Sequence, residues 1–149
     1  MIGPAMARVD FYLLGEAGAL ARQNFACRLA EKAWRLKHSV HMLANDAQHA
    51  RQLDELLWTF RDGSFVPHAL AGAEDLRSSI PVPVTIGTAE DGVRPGDLLI
   101  NLTDELPQSA DSFPRIAEVV TSDEDCRQKS RKRFVAYRSQ GHMLQTHEL

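Results

Sequence analysis

Short apolar runs closed by glycine, proline or asparagine alternate along this chain with longer segments whose apolar residues recur at helical spacing. That alternation restricts the fold more than any other feature. Residues 9–14 read as a buried strand stopped by Gly15. Over 19–37 the spacing of Leu20, Cys27, Ala30 and Trp34 predicts a helix, with Arg22, Arg28, Lys32 and Arg35 turned to water. Residues 39–44 predict a second strand. Asn45 or Asp46 then caps a second helix carrying Leu53, Leu56, Leu57 and Phe60 on its apolar side and ending at Arg61-Asp62-Gly63. Further strands are expected over 82–87, 97–102 and 116–120, and residues 69–80 read as a loop-rich, mobile connection. Strand, helix, strand, helix, strand is the order of an α/β fold with a mainly parallel sheet, because parallel neighbours need crossovers that place helices on the sheet faces.

At 149 residues, 44% hydrophobic and 25% charged, the chain has the composition of one soluble domain spanning 1–149. No apolar run approaches the roughly 20 residues needed to cross a bilayer. The start MIGPAMARVD lacks a basic region followed by an apolar stretch, so the expectation is a cytoplasmic protein beginning at Met1 or Met6. Cys27 and Cys126 lie far apart with no CxxC, which favours reduced thiols in the packing over a disulfide or a zinc site.

The sequence offers little for catalysis. The turn Leu14-Gly15-Glu16-Ala17-Gly18-Ala19 stands where a phosphate loop would, but it has neither the Lys-Ser/Thr of a P-loop nor G-x-G-x-x-G, and Glu16 would repel phosphate. His38 and His41 would point to opposite faces of a strand, so they do not share a metal ion. His68 closes SFVPH, where a hydrogen-bonded loop histidine is favoured over a general base. No cofactor and no metal are expected.

Against a net charge of −3, the segment RQKSRKRFVAYR at 127–138 is half arginine and lysine. Laid on a helix at about 100° per residue, Arg127, Arg131, Phe134 and Arg138 share one stripe while Lys129, Lys132 and Arg133 spread around the rest. Guanidinium groups framing an aromatic ring suit an acidic peptide, through paired hydrogen bonds to carboxylates. They also suit a phosphate backbone with Phe134 or Tyr137 stacking on a base. A third reading is a solvated helix with Phe134 and Tyr137 turned into the core. The acidic balance of the whole chain leans toward the peptide, because a dedicated nucleic-acid binder usually carries a basic domain.

FYLL near the start, DELLWTFRDGSFVPH at 54–68, DLLINL at 97–102, EVV at 118–120 and RFVAYRSQG at 133–141 together resemble the chi subunit of bacterial DNA polymerase III holoenzyme. LDELLW followed by SFVPH is the most specific part. The resemblance implies an accessory subunit without polymerase activity of its own, built on an α/β fold like a nucleotide-binding domain but without its phosphate loop. It implies binding of the acidic, phenylalanine-ended C-terminal tail of single-stranded DNA-binding protein by Arg127, Arg131, Phe134 and Arg138, with Trp58 helping to form the pocket. Association with single-stranded DNA would then be indirect. It also implies a second surface, marked by Phe65, for the psi subunit of the clamp loader or a competing helicase. Two departures stand out: Val135 occupies a position where the family often has lysine, and the segment between Val120 and Cys126 is short. A module binding nucleic acid directly, and an enzyme using the α/β crevice, are the alternatives.

Overall fold

The computed structural model describes residues 7–63, 65–71, 82–91, 96–108 and 110–149. Seven strands form one sheet in which all six pairings are parallel. In chain order the elements are β1 (Arg8–Leu13), α1 (Ala19–Arg35), β2 (Val40–Leu43), α2 (Ala47–Thr59), β3 (His68–Leu70), β4 (Val84–Gly87), β5 (Leu98–Asn101), β6 (Arg115–Val120), α3 (Glu124–Ser139) and β7 (Met143–Glu148). The spatial order is β3-β4-β2-β5-β6-β1-β7. Right-handed crossovers turn this order into two layers. The chain passes from β1 to β2 to β3 in one direction, which puts α1 and α2 on one face; it returns from β5 through β6 to β7, which puts α3 on the other.

Each face has its own core. Under α1 and α2 lie Cys27, Ala30, Leu53, Leu57, Met42, Ile86, Ile100 and Val119. Under α3 lie Val9, Phe11, Leu99, Ile116, Val120 and Tyr137. The period of two along a strand sorts neighbours such as Leu99 and Ile100, or Val119 and Val120, to opposite cores. Asp46 caps α2 by accepting from the His49 N–H at 2.8 Å. Burial pushes the Cys27 thiol up to about 12, and Cys27 and Cys126 are both free thiols.

Four sequence expectations change. The strand expected over 82–87 is the fourth, because Ala69 and Leu70 belong to β3, paired beside β4, rather than to a connection; residues 72–80 lie outside the described residues. β7 was not expected, since an edge strand with one shielded side carries no continuous apolar run. Leu20 is exposed in the first turn of α1, above the core rather than in it. Arg22 does not face water: its guanidinium donates to the carbonyls of Val119, Leu102 and Thr103 at 2.9, 3.2 and 3.4 Å, tying α1 to the ends of β5 and β6.

Candidate functional site

The basic segment folds as α3, and the helix is fixed to the sheet by a buried polar network. Glu118 on β6 is completely buried. Arg133 donates its Nε–H to Oε1 at 3.2 Å, while Tyr137 Oη and Asn101 Nδ2 donate to Oε2 at 2.7 and 2.8 Å. The Arg133 guanidinium also reaches the Asp104 carbonyl at 3.1 Å. Burial raises the Glu118 carboxyl, and Arg133 with the Asn101 and Tyr137 donors pulls against that rise. Arg133 is therefore an internal strut and not one of the solvated charges that the helical wheel suggested.

The outward stripe keeps its arginines in water. Arg127, Arg131 and Arg138 are exposed, and Phe134 between them is half-buried, its ring 5.3 Å from Phe11 on β1. The Arg138 guanidinium lies 5.2 Å over the Phe134 ring, a cation–π contact that holds the charge above an apolar floor. Val135, 61% exposed, widens that apolar surface where a lysine would have added charge. The cations differ in their freedom. Lys129 is shared between Asp104 and Asp125 at 3.5 and 3.2 Å, and Arg131 faces Glu124 at 3.6 Å. Among the described residues Arg127, Lys132 and Arg138 have no carboxylate partner. Gly141, at φ 87°, then turns the chain from α3 into β7.

Trp58 does not join this stripe. It ends α2, on the opposite face and beside β3, and its ring meets those of Phe65 at 5.5 Å and His68 at 4.7 Å. Trp58 and Phe65 are 53% and 58% exposed, a large amount for adjacent aromatic side chains. His68 forms their base: Nδ1 lies 2.6 Å from the Val66 carbonyl and Nε2 3.1 Å from that of Asp54, so the loop is laced to α2. The molecule thus carries two separate surfaces. One is cationic and lies on α3; the other is aromatic and lies at the β3 end of the sheet.

The crevice between β1 and β6, where an α/β fold of this kind would receive a phosphate at a helix N-terminus, is occupied by the chain itself. Asp123 accepts the Gly18 N–H at the start of α1 at 2.9 Å and the Thr121 hydroxyl at 2.7 Å. Those bonds hold its carboxyl below the usual range. Among the described residues no cluster of three metal-ligating side chains occurs, and no helix is long and apolar enough to cross a membrane.

Comparison with known proteins matches these features. The family model for the DNA polymerase III chi subunit, HolC, covers residues 6–145. A DNA polymerase III subunit chi from Pseudomonas aeruginosa is 44% identical over 144 residues, 97% of this chain and 98% of the relative. Its namesake from Escherichia coli is 33% identical over 145 residues, 95% of this chain and 97% of that one. By shape, the chain resembles T4 UvsW with a TM-score of 0.71 at 7% identity, covering 98% of this chain and 42% of the other. Yeast Dbp5 bound to RNA and ADP BeF3 follows with a TM-score of 0.57 at 12% identity, again 42% of that chain. These two likenesses describe the α/β fold alone. With an α/β sheet whose phosphate position is filled from within, a basic α3 and a sequence matched almost end to end, this chain belongs to the DNA polymerase III chi subunit family.

Proposed function

We propose that this replication accessory subunit is an adaptor that holds the acidic, phenylalanine-ended tail of single-stranded DNA-binding protein on α3 and a second protein on the Trp58–Phe65 patch. The observation that carries the first half is the stripe of exposed guanidiniums around half-buried Phe134, with Arg127 and Arg138 lacking any described carboxylate partner. Aspartates and a terminal carboxylate supply what those groups lack, through charge-assisted hydrogen bonds, while the tail's ring settles on the Phe134–Val135 surface. Lys129 and Arg131 exchange an internal partner for an external one and gain less. In calorimetry with a synthetic tail peptide, Arg127→Ala or Arg138→Ala costs about 1.5–3 kcal/mol of binding, and Lys129→Ala well under about 1 kcal/mol. Equal losses at the three positions would make α3 a diffuse electrostatic patch. Binding that survives removal of the terminal phenylalanine would sink the tail reading altogether.

The second half rests on the pairing of Trp58 with Phe65. Two large rings, both more than half exposed and braced from below by His68, have the character of interface anchors. We assign this patch to the psi subunit of the clamp loader or to a helicase competing for it, and move Trp58 from the tail pocket to this surface. Phe65→Ala then abolishes capture of the psi partner in a pull-down while the tail peptide still binds with unchanged affinity. Simultaneous loss of both, with a changed circular dichroism spectrum, would mean that Phe65 holds the fold instead.

A further inference from the structure

The sheet face beside α1 carries another basic surface, independent of α3 and of the aromatic patch. α1 lies over β6, β5 and β2. Toward the β7 edge the same face presents a row of rings: Phe25 on α1 is 5.3 Å from Tyr12 on β1, and Tyr12 is stacked on His147 of β7 at 4.9 Å and 17°. The Arg28 guanidinium closes the row 5.9 Å from the Phe25 centroid. Arg8 and Arg115, both about half exposed, grip the buried Asp10 carboxylate at 3.3 and 3.5 Å, and His147 Nε2 meets it at 2.8 Å. Two guanidiniums against one carboxylate leave net positive charge on the surface. The acidic residue of α1, Glu31, is buried and bridged to Arg35 and Arg61, while Arg28, Lys32 and Arg35 are exposed at helical spacing. Next to the ring row is a cleft of about 220 Å³ whose walls include Tyr12, Leu29 and Leu36, with Lys32, Arg115 and Asp97 around it.

We propose that this face binds single-stranded nucleic acid, with one base in the cleft between Tyr12, Leu29 and Leu36 and the flanking phosphates on Lys32, Arg115 and Arg28. An apolar cleft with a tyrosine ring in its wall, further rings in line with it and cations beside them suit a chain of bases and phosphates. Asp97 distinguishes this ligand from an acidic peptide. Its Oδ2 accepts from the Ser39 N–H at 2.8 Å, and Oδ1 is left to accept from an exocyclic amino group of a base. An acidic side chain, which has no proton to donate, cannot use that oxygen.

The test uses the full chain without any tail peptide and a fluorescently labelled mixed-sequence oligodeoxynucleotide of about 15 nucleotides, followed by polarisation at low ionic strength. Binding should weaken steeply with salt, and each cation removed should reduce the salt slope by about one. The double variant Arg28→Ala/Lys32→Ala, both exposed positions, should lose about tenfold in affinity or more. Leu36→Asp, at another exposed position, should weaken binding at the cleft with an unchanged circular dichroism spectrum. Arg127→Ala should leave it intact. Absence of binding at low salt, an unaffected Arg28→Ala/Lys32→Ala variant, or loss confined to Arg127→Ala would overturn the proposal. Full displacement of the oligonucleotide by an acidic peptide at equal charge would overturn it too, by making the face a peptide surface.

Discussion

Arg133→Ala destabilises this protein by about 3–5 kcal/mol, the cost of leaving a buried carboxylate without its cation. The variant removes both the contact to Glu118 Oε1 and the bond to the Asp104 carbonyl, while Asn101 and Tyr137 still donate to Oε2. Burial then acts on Glu118 with much less opposition. Arg131→Ala, two residues earlier on the outer side of α3 and exposed, removes the same charge for under about 1 kcal/mol. Urea unfolding of the two variants at neutral pH gives the comparison directly. Replacing both partners, as Arg133→Met with Glu118→Gln, should recover part of the loss, because no charge is left buried and the amide oxygen still accepts from Asn101 and Tyr137. Near-equal stabilities of Arg133→Ala and Arg131→Ala would show that the network does not anchor α3.

The second large effect is acid-sensitive and lies on β2, two strands away from β6. His41 on β2 is 4% exposed, its Nδ1 2.7 Å from the Thr85 hydroxyl and its Nε2 buried without a hydrogen-bond partner among the described residues. Burial lowers its pKa to about 4, with Asp91 opposing the fall. The folded value lies below the ordinary one, so the neutral ring stabilises the fold fully above about pH 6.5. That stability drains away as pH falls through the folded value of about 4. The gap corresponds to roughly 3 kcal/mol. Asp10 and Asp123, whose carboxyls are lowered, lose their contributions only under more acid conditions. His49, lowered chiefly by burial, adds to the slope in the same direction. Denaturation midpoints between pH 7 and pH 4 should fall for the wild type and much less for His41→Met. An unchanged slope in the variant rejects this account.

Much of the architecture was legible because it rests on burial. β1, β2, β5 and β6 are apolar runs flanked by turn residues, and an interior parallel strand has no other way to look. β3 and β7 leave little trace in the sequence because edge strands have one shielded side and need less apolar sequence. Within α3 the helical wheel grouped Arg127, Arg131, Phe134 and Arg138 correctly as neighbours, since that depends on local geometry alone. It could not show that Arg133 points inward, because the reason, Glu118, sits in a strand that reads as EVV and counts as apolar in a pattern search. Trp58 stands apart from α3, which its own segment does not show, for a related reason. Its distance from α3 follows from strand order, which places α2 and α3 on opposite faces, and strand order is a property of pairings that no single segment encodes.

The position of β1 bears on how the chain is made. This strand is synthesised first, yet it lies between β6 and β7 and pairs with nothing else. Among the described residues every pairing is parallel, so each waits for a crossover. For β1 the wait is the longest available: its first partner begins at Arg115 and its second ends at Glu148. While the chain emerges from the ribosome, the apolar residues Val9, Phe11 and Leu13 have no strand to join. The sheet can grow from β2 through β5, but the N-terminal strand is inserted only when the C-terminal end arrives to close over it. The pairings of β1 therefore form late in synthesis, once β6 and β7 have both been made.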